Sequence, residues 1–305
     1  MKPAVSVVIN CRNGEPFLEA ALQSVFGQTF GDFEVVFWDN LSSDNSPEIA
    51  RAFGTRLRYY RSESPLTLGE ARRQAVARAI GEFIAILDVD DRWRPAKLDR
   101  QVSLLETNRD LGLVYCDSVR LTATGQHLSR WSDERRLYRG RVLSQLLQNC
   151  FISMSTVAMR RSVLDQVGSF DPRFSLVEEW DLFLRIAERH GVDYVDDVLV
   201  EEQIHSQNFS RDYDRVTHET SMLMSDWMIR APAHQNLCRR MIAMAQFRRE
   251  GVRAYRQFMK RNVLAGLANV ANCGAVALRH PVTVATTLVS YGNAANRSVF
   301  RARFS

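Results

Sequence analysis

The segment FIAILDVDDRW, residues 83–93, limits what this chain can become more than any other. The run from Phe83 to Leu87 contains no polar position, the pattern of a strand buried on both faces. Three carboxylates, Asp88, Asp90 and Asp91, follow it within four residues. A doubly buried strand belongs inside a parallel sheet with helices on both sides, so strands and helices should alternate around it. They do. VSVVIN (Val5–Asn10) precedes an amphipathic stretch, Glu15–Phe26, and EVVFW (Glu34–Trp38) precedes a helix opening near Ser46-Pro47-Glu48, with serine as its expected cap. LRYY (Leu57–Tyr60) is followed by helical spacing over Leu68–Ile80, and the acidic turn by a helix from Pro95 to about Glu106. The expected class is α/β with a mainly parallel sheet.

Beyond Leu113–Cys116 the pattern loosens. A hairpin and a short helix are expected within 118–150, a strand at Thr156–Arg160, a helix at Glu178–Arg189 and a late strand at Tyr194–Val200. From about Val216 the spacing is helical, broken at Pro232 and Pro281. These readings divide the chain into residues 1–215 and a helical region, 216–305.

Polar residues collect at the ends of the early strands: Asn10 to Asn13, Asp39-Asn40, Arg61 to Glu63 and Asp88 to Asp91. In an open parallel sheet these C-terminal ends share one edge, which is where ligands bind. Asn10, Asn13, Asp39 and Asp88 are therefore candidates to hold a ligand. Three carboxylates so close together repel one another unless a cation sits among them, and an oxygen-rich set suits Mg²⁺ or Mn²⁺ shared with substrate phosphates. A solvated acidic turn is the plainer alternative. Arg72 and Arg73 lie near a helix start, where a guanidinium can bind phosphate oxygens; Arg73 reads better as surface charge. Glu178 and Glu179 open a helix, either as partners of its dipole or as a general base. His205 follows the late strand and an acidic pair.

Together these segments resemble the family 2 glycosyltransferases, over about Val5 to Ser210. VSVVINCRNGEPFLEAALQSVFGQTFGDFEVVFWDNLSSDNS is similar to that family's nucleotide-binding unit, Glu70-Ala71-Arg72-Arg73 to its Ala-Arg-Asn element, and GEFIAILDVDDRW to its D-x-D turn. VEEWDLFLR resembles the segment carrying the catalytic base, and Glu201–Ser210 the closing histidine element. The resemblance implies a GT-A fold, a Rossmann-like sheet flanked by helices, here with a C-terminal helical extension. It implies an inverting transfer of sugar from a nucleotide-diphosphate donor to a glycan or lipid-linked acceptor in polysaccharide, cell-wall or lipopolysaccharide assembly, with Mg²⁺ or Mn²⁺. By the same resemblance Asp39 meets the base, Asp88 the ribose or the metal and Arg72 the nucleotide. Asp90 is the principal metal ligand with His205 beside it, and Glu179, or else Glu178, is the base. Asn10-Cys11 replaces the usual Pro-Thr, and Asp39-Asn40-Leu41-Ser42 the usual Asp-Asp-Gly-Ser.

From Ser221 onward thirteen basic residues face two acidic ones, a net of +11; the whole chain carries +5, which leaves −6 for residues 1–220. Such a basic helical tail suits an anionic membrane surface or a solvated cap. Nucleic acid is disfavoured, since no aromatic-rich or fingerprint motif accompanies the charge. Five dispersed cysteines and no apolar stretch of bilayer length fit a reducing cytoplasm, with peripheral contact at the inner face of the membrane. Two other classes stand against this reading. A sugar nucleotidyltransferase needs a glycine-rich triphosphate loop, and Asn10–Gly14 supplies one glycine. A non-catalytic partner of an assembly complex should have lost some of the aspartates.

Overall fold

The computed structural model describes residues 2–122, 124–205, 212–259 and 263–280. Its strands are β1 (Val5–Cys11), β2 (Phe33–Asp39), β3 (Arg58–Arg61), β4 (Phe83–Asp88), β5 (Arg92–Trp93), β6 (Leu111–Thr122), β7 (His127–Arg130), β8 (Ala158–Arg160) and β9 (Gly191–Ile204). The helices are α1 (Glu15–Phe26), α2 (Ser46–Ala52), α3 (Leu68–Val76), α4 (Lys97–Thr107), α5 (Trp131–Glu134), α6 (Leu143–Leu146), α7 (Arg161–Val167), α8 (Glu178–Arg189), α9 (Tyr213–Arg230), α10 (Gln235–Met259) and α11 (Val263–Arg279).

One mixed sheet runs in the order β3-β2-β1-β4-β8-β6-β9-β5, with β7 paired to β6. Its first four strands are parallel, as the unbroken apolar run of β4 requires, and β1 and β4 are buried on both faces except at Asp88. Val7, Ile9, Leu22, Phe37, Ala85 and Leu98 belong to its apolar core. The other half is mixed: β8 pairs antiparallel with both β4 and β6, whereas β6 and β9 run parallel. That half extends the sheet further than sequence spacing suggested. Both long strands outrun their apolar centres because buried polar residues, Asp117, Ser118, Arg120 and Glu202, continue them.

Local chemistry fixes the elements that carry the site. Thr67 caps α3, its hydroxyl accepting from the Glu70 N–H at 3.2 Å. The start of α3 is tied to the loop before α8 by Gly69 N–H to the Phe174 carbonyl (3.0 Å) and the Thr67 hydroxyl to the Pro172 carbonyl (2.7 Å). The contact is close because residue 69 is glycine: a Cβ there would lie 2.2 Å from the Asp171 carbonyl oxygen. Ser46 does not cap α2. Asn45 precedes that helix without a side-chain cap, and the Ser46 hydroxyl instead accepts from the Gly14 N–H at 2.9 Å, joining the starts of α1 and α2.

The chain divides into two compact units, Met1–Leu143 with Cys150–His205, and Ser144–Asn149 with Ser206–Ser305. The sequence boundary at 215/216 falls ten residues after the end of the first unit. In the second unit α9 and α10 pack together, as do α10 and α11. The 206–210 part of the expected closing element and the break at Pro281 lie outside the described residues.

Candidate functional site

Parallel register sets the edge. Asn10 lies beside Trp38 on one neighbour and Asp88 on the other, while Cys11 aligns with Asp39 and Asp39 with Arg61. The two sets alternate in facing, so Asn10, Trp38 and Asp88 form one row across the sheet end. Helix α3 packs over β1 and β2 and brings Arg72 to this row.

Arg72 is 2% exposed and bridges two carboxylates. Its Nη2 is 2.5 Å from Asp88 Oδ1 and its Nη1 2.5 Å from Glu178 Oε1. The two acids raise the guanidinium pKa despite its burial. Glu178 is 3% exposed and committed to this pair. Glu179, next to it, keeps partial exposure, yet its carboxyl is pushed up to about 8, first by desolvation and then by the charge of Glu178. Both acids open α8, whose N-terminal dipole favours negative charge. Asp181, in the same turn, is paired with Arg185 at 2.6 Å.

After β4 the chain turns tightly, with Asp91 N–H donating to the Asp88 carbonyl at 3.0 Å. Asp90 Oδ2 lies 3.0 Å from His205 Nε2, and the imidazole stacks on Phe17 with centroids 4.6 Å apart. Asp91 is buried, and its carboxyl is raised well above the usual range by desolvation, then by Asp90, Glu202 and Asp88. The Ser155 hydroxyl accepts from the Asp88 N–H at 3.0 Å and also bonds the Asp91 carboxyl.

Asn10 and Asn13 differ. Both polar atoms of the Asn10 amide are buried without a hydrogen-bond partner among the described residues, and the neighbouring Trp38 Nε1 is in the same condition. Such groups cost about 1–3 kcal/mol each if left so, which points to a ligand or water completing them. Asn13, at φ 56°, uses its side chain to accept from the Ser43 N–H at 2.8 Å and thereby braces the second loop.

Asp39 is fully buried and saturated. It accepts from the Ser42 N–H (2.7 Å) and the Tyr59 hydroxyl (2.6 Å) and pairs with Arg61 (3.2 Å). A nucleobase would reach this carboxylate only after Tyr59 or Arg61 releases it. Arg61 itself is 40% exposed and presents the charge at that end of the edge. The 39–42 turn holds Leu41 at φ 57°, a left-handed conformation that glycine adopts more cheaply.

The structure therefore gathers Asp88, Arg72, Glu178 and Glu179 into one network, pairs Asp90 with His205, and gives Asn13 and Asp39 bracing contacts. Phe17, Ser155 and Glu202 were not among the sequence candidates. A phenylalanine in an amphipathic helix and a serine in an irregular stretch carry no local signal, whereas Glu202 adjoined His205 in an acidic pair. Among the described residues no three acidic, histidine or cysteine side chains gather as a metal cluster. Asp90 and His205 still offer two convergent donors beside carboxylates that repel one another. That fits a divalent ion whose other ligands come from phosphate and water.

The sequence matches the family model of glycosyl transferase family 2 over residues 6–168. An uncharacterised glycosyltransferase of Methanocaldococcus jannaschii is 27% identical over 209 residues, which is 67% of this chain and 71% of that protein. The Escherichia coli protein WfgD, a UDP-Glc:α-D-GlcNAc-diphosphoundecaprenol β-1,3-glucosyltransferase, is 27% identical over 192 residues, 63% of this chain and 72% of its own length. Among solved structures, the mannosyltransferase PcManGT from Pyrobaculum calidifontis, in complex with GDP-Man and Mn²⁺, aligns with a TM-score of 0.64 at 17% identity. That alignment covers 99% of this chain and 84% of the other, and it speaks for the fold. More than half of the chain answers to one family model, and its sheet and helices follow the GT-A pattern. The chain belongs to glycosyl transferase family 2 and is an enzyme that transfers sugars.

Proposed function

We propose that the chain transfers a sugar from a nucleotide-diphosphate donor to a glycan or lipid-linked glycan acceptor, with inversion at the anomeric carbon. The observation that carries this reading is the pair of adjacent glutamates with divided roles. Glu178 is locked to Arg72, whereas Glu179 is partly exposed with a carboxyl near 8, so Glu179 is the better base. In the reaction the acceptor hydroxyl gives its proton to the Glu179 carboxylate as its oxygen bonds to the anomeric carbon. The bond from that carbon to the diphosphate oxygen breaks on the opposite side, and the nucleoside diphosphate leaves.

Arg72 fixes Asp88 and Glu178, and with them the helix start that presents Glu179. The unpartnered Asn10 amide takes a polar group of the nucleotide, and Asp39 serves by holding Arg61 and Tyr59 at the base end. Asp90 and His205 would hold the divalent ion, which offsets the charge developing on the leaving diphosphate. An imidazole among the donors favours Mn²⁺ over Mg²⁺. On this reading residues 1–215 are the catalytic domain and 216–305 a cap or membrane-surface region, and the enzyme works in the cytoplasm at the inner face of the membrane. The name of WfgD, with its UDP-glucose donor and lipid-diphosphate acceptor, supports that class of substrate; the GDP-Man and Mn²⁺ bound to PcManGT support the donor and metal type.

Calorimetry against UDP, GDP, CDP and dTDP, each with and without Mn²⁺, tests the donor site. One nucleotide should bind tightly, only with metal, and not to Asp90→Asn. Binding of none by folded protein would remove the donor reading.

A further inference from the structure

Helix α11 has no charged side chain before Arg279. One side meets α10, where Asn272 Nδ2 donates to Glu250 Oε2 at 3.4 Å and the Cys273 thiol to the Phe247 carbonyl at 3.8 Å. On another side Leu267, Val270 and Leu278 are 54%, 48% and 86% exposed. With Ala271 and Gly274, also exposed, they fall at three- and four-residue intervals and make one stripe. A Cβ added to Gly274 would meet nothing within 4 Å. A helix on a soluble surface normally turns charge to water; this one turns leucine and valine.

Charge frames the stripe. The contacts Glu250–Asn272 and Phe247–Cys273 run antiparallel. At 1.5 Å of rise per residue they set the exposed Arg256 beside the Leu267 end, where Arg253 is held by Asp214 and Glu250, and the exposed Arg239 and Arg240 beside Arg279. Residues 235–280 carry nine basic side chains against Glu250 alone.

We propose that the outward stripe of α11 docks on an anionic lipid surface, lying in the interface with the flanking arginines among the headgroups. The pattern is that of an interfacial helix, apolar on the docking side and basic around it. Seventeen residues span about 26 Å, and no described helix is long and apolar enough to cross a membrane. A second copy is the poorer occupant, since a two-fold contact would bring the two sets of arginines together. The proposal deepens the reading of a lipid-linked acceptor, and it rests on that reading for the purpose of docking and not for the surface itself.

Flotation of the full chain with vesicles tests it. Vesicles of equal parts phosphatidylglycerol and phosphatidylcholine should carry the protein, and high salt or pure phosphatidylcholine should release it. Leu267→Asp with Leu278→Asp should cut binding at least about tenfold, and Arg239→Gln with Arg240→Gln about fivefold per arginine. Nucleotide binding by calorimetry, unchanged in both variants, shows that they are folded. Absence of flotation, or equal flotation of the leucine variant, overturns the proposal. A wild-type dimer that the leucine variant dissociates, without vesicle binding, overturns it too and assigns the stripe to a second copy. Should flotation hold while no nucleotide binds, the donor reading fails and the docking surface stands.

Discussion

The Arg72 guanidinium lies 2.5 Å from the Asp88 carboxylate, and through its other nitrogen it holds Glu178 at the same distance. One buried cation thus joins the end of β4 to the start of α8. Residues sixteen and 106 positions away meet on one side chain. The planar fork of arginine makes this possible, and a lysine ammonium cannot reproduce it.

Arg72→Lys should therefore keep a fold but lose geometry. We expect kcat to fall by roughly 10²-fold or more, since small misplacement of catalytic groups costs that much. Arg72→Ala should also destabilise the protein by about 3–5 kcal/mol, because two acids lose their counter-charge in a buried setting. Thermal melts and initial rates on the two variants separate these effects.

Glu179→Gln should lower kcat by about 10²–10⁴-fold. In the wild type, kcat/KM should rise with pH and level off above about 8, where the carboxyl of the free enzyme has lost its proton. Stability should move the other way. Between the ordinary glutamate value and about 8, the folded chain keeps a proton that the unfolded chain releases, so stability falls as pH rises through that window. The glutamine variant removes this dependence and should be more stable near neutrality by on the order of 1–2 kcal/mol. A rate limb that survives in Glu179→Gln would assign the base elsewhere.

His205→Ala should weaken Mn²⁺ binding at the nucleotide site without abolishing it, because Asp90 remains. Since loss of an outer-shell partner alone costs about 10–100-fold in metal affinity, loss of one of two direct protein donors should raise the apparent metal dissociation constant by at least about tenfold. Titrating Mn²⁺ at fixed nucleotide in the calorimeter reads this directly, and an unchanged metal dependence would leave His205 as a partner of Asp90 and Phe17 with no part in holding the metal.

Asn10→Leu tests a group that the structure leaves unsatisfied. Replacing the orphaned amide by an apolar side chain of similar size should stabilise the free protein by roughly 1 kcal/mol. The same change should lower nucleotide affinity, so melting temperature and affinity move in opposite directions. Equal stability and unchanged affinity would mean that water already completes the amide.

The parallel half of the sheet was legible because burial on both faces writes itself as an unbroken apolar run, as in Phe83–Leu87. The edge followed from it, since polar groups at strand ends need no tertiary knowledge to be noticed. The second half was harder. Strand β6 extends through Asp117, Ser118 and Arg120, whose burial is made tolerable by Ser132, Glu202 and Glu134 from distant segments. No local pattern foretells that. Which of Glu178 and Glu179 pairs with Arg72 was equally invisible, because it depends on how α3 meets α8.

Gly69 carries the last expectation. It has no side chain to offer, yet the start of α3 rests on the loop of Asp171 to Ser175 because that side chain is missing. A methyl group there would sit 2.2 Å from the Asp171 carbonyl oxygen and 2.7 Å from that of Phe174, both backbone atoms that cannot swing aside as a side chain would. Gly69→Ala must separate the helix from the loop that leads into Glu178. Helix propensity alone favours alanine by about 1 kcal/mol, so a simple helical position would be stabilised. The expected result is the reverse: a lower melting temperature, with kcat reduced more than KM is raised, because the Arg72–Glu178 bridge is displaced while the nucleotide edge of β1 and β2 is left in place. A variant that melts higher with an unchanged kcat would show that the bridge does not depend on this contact.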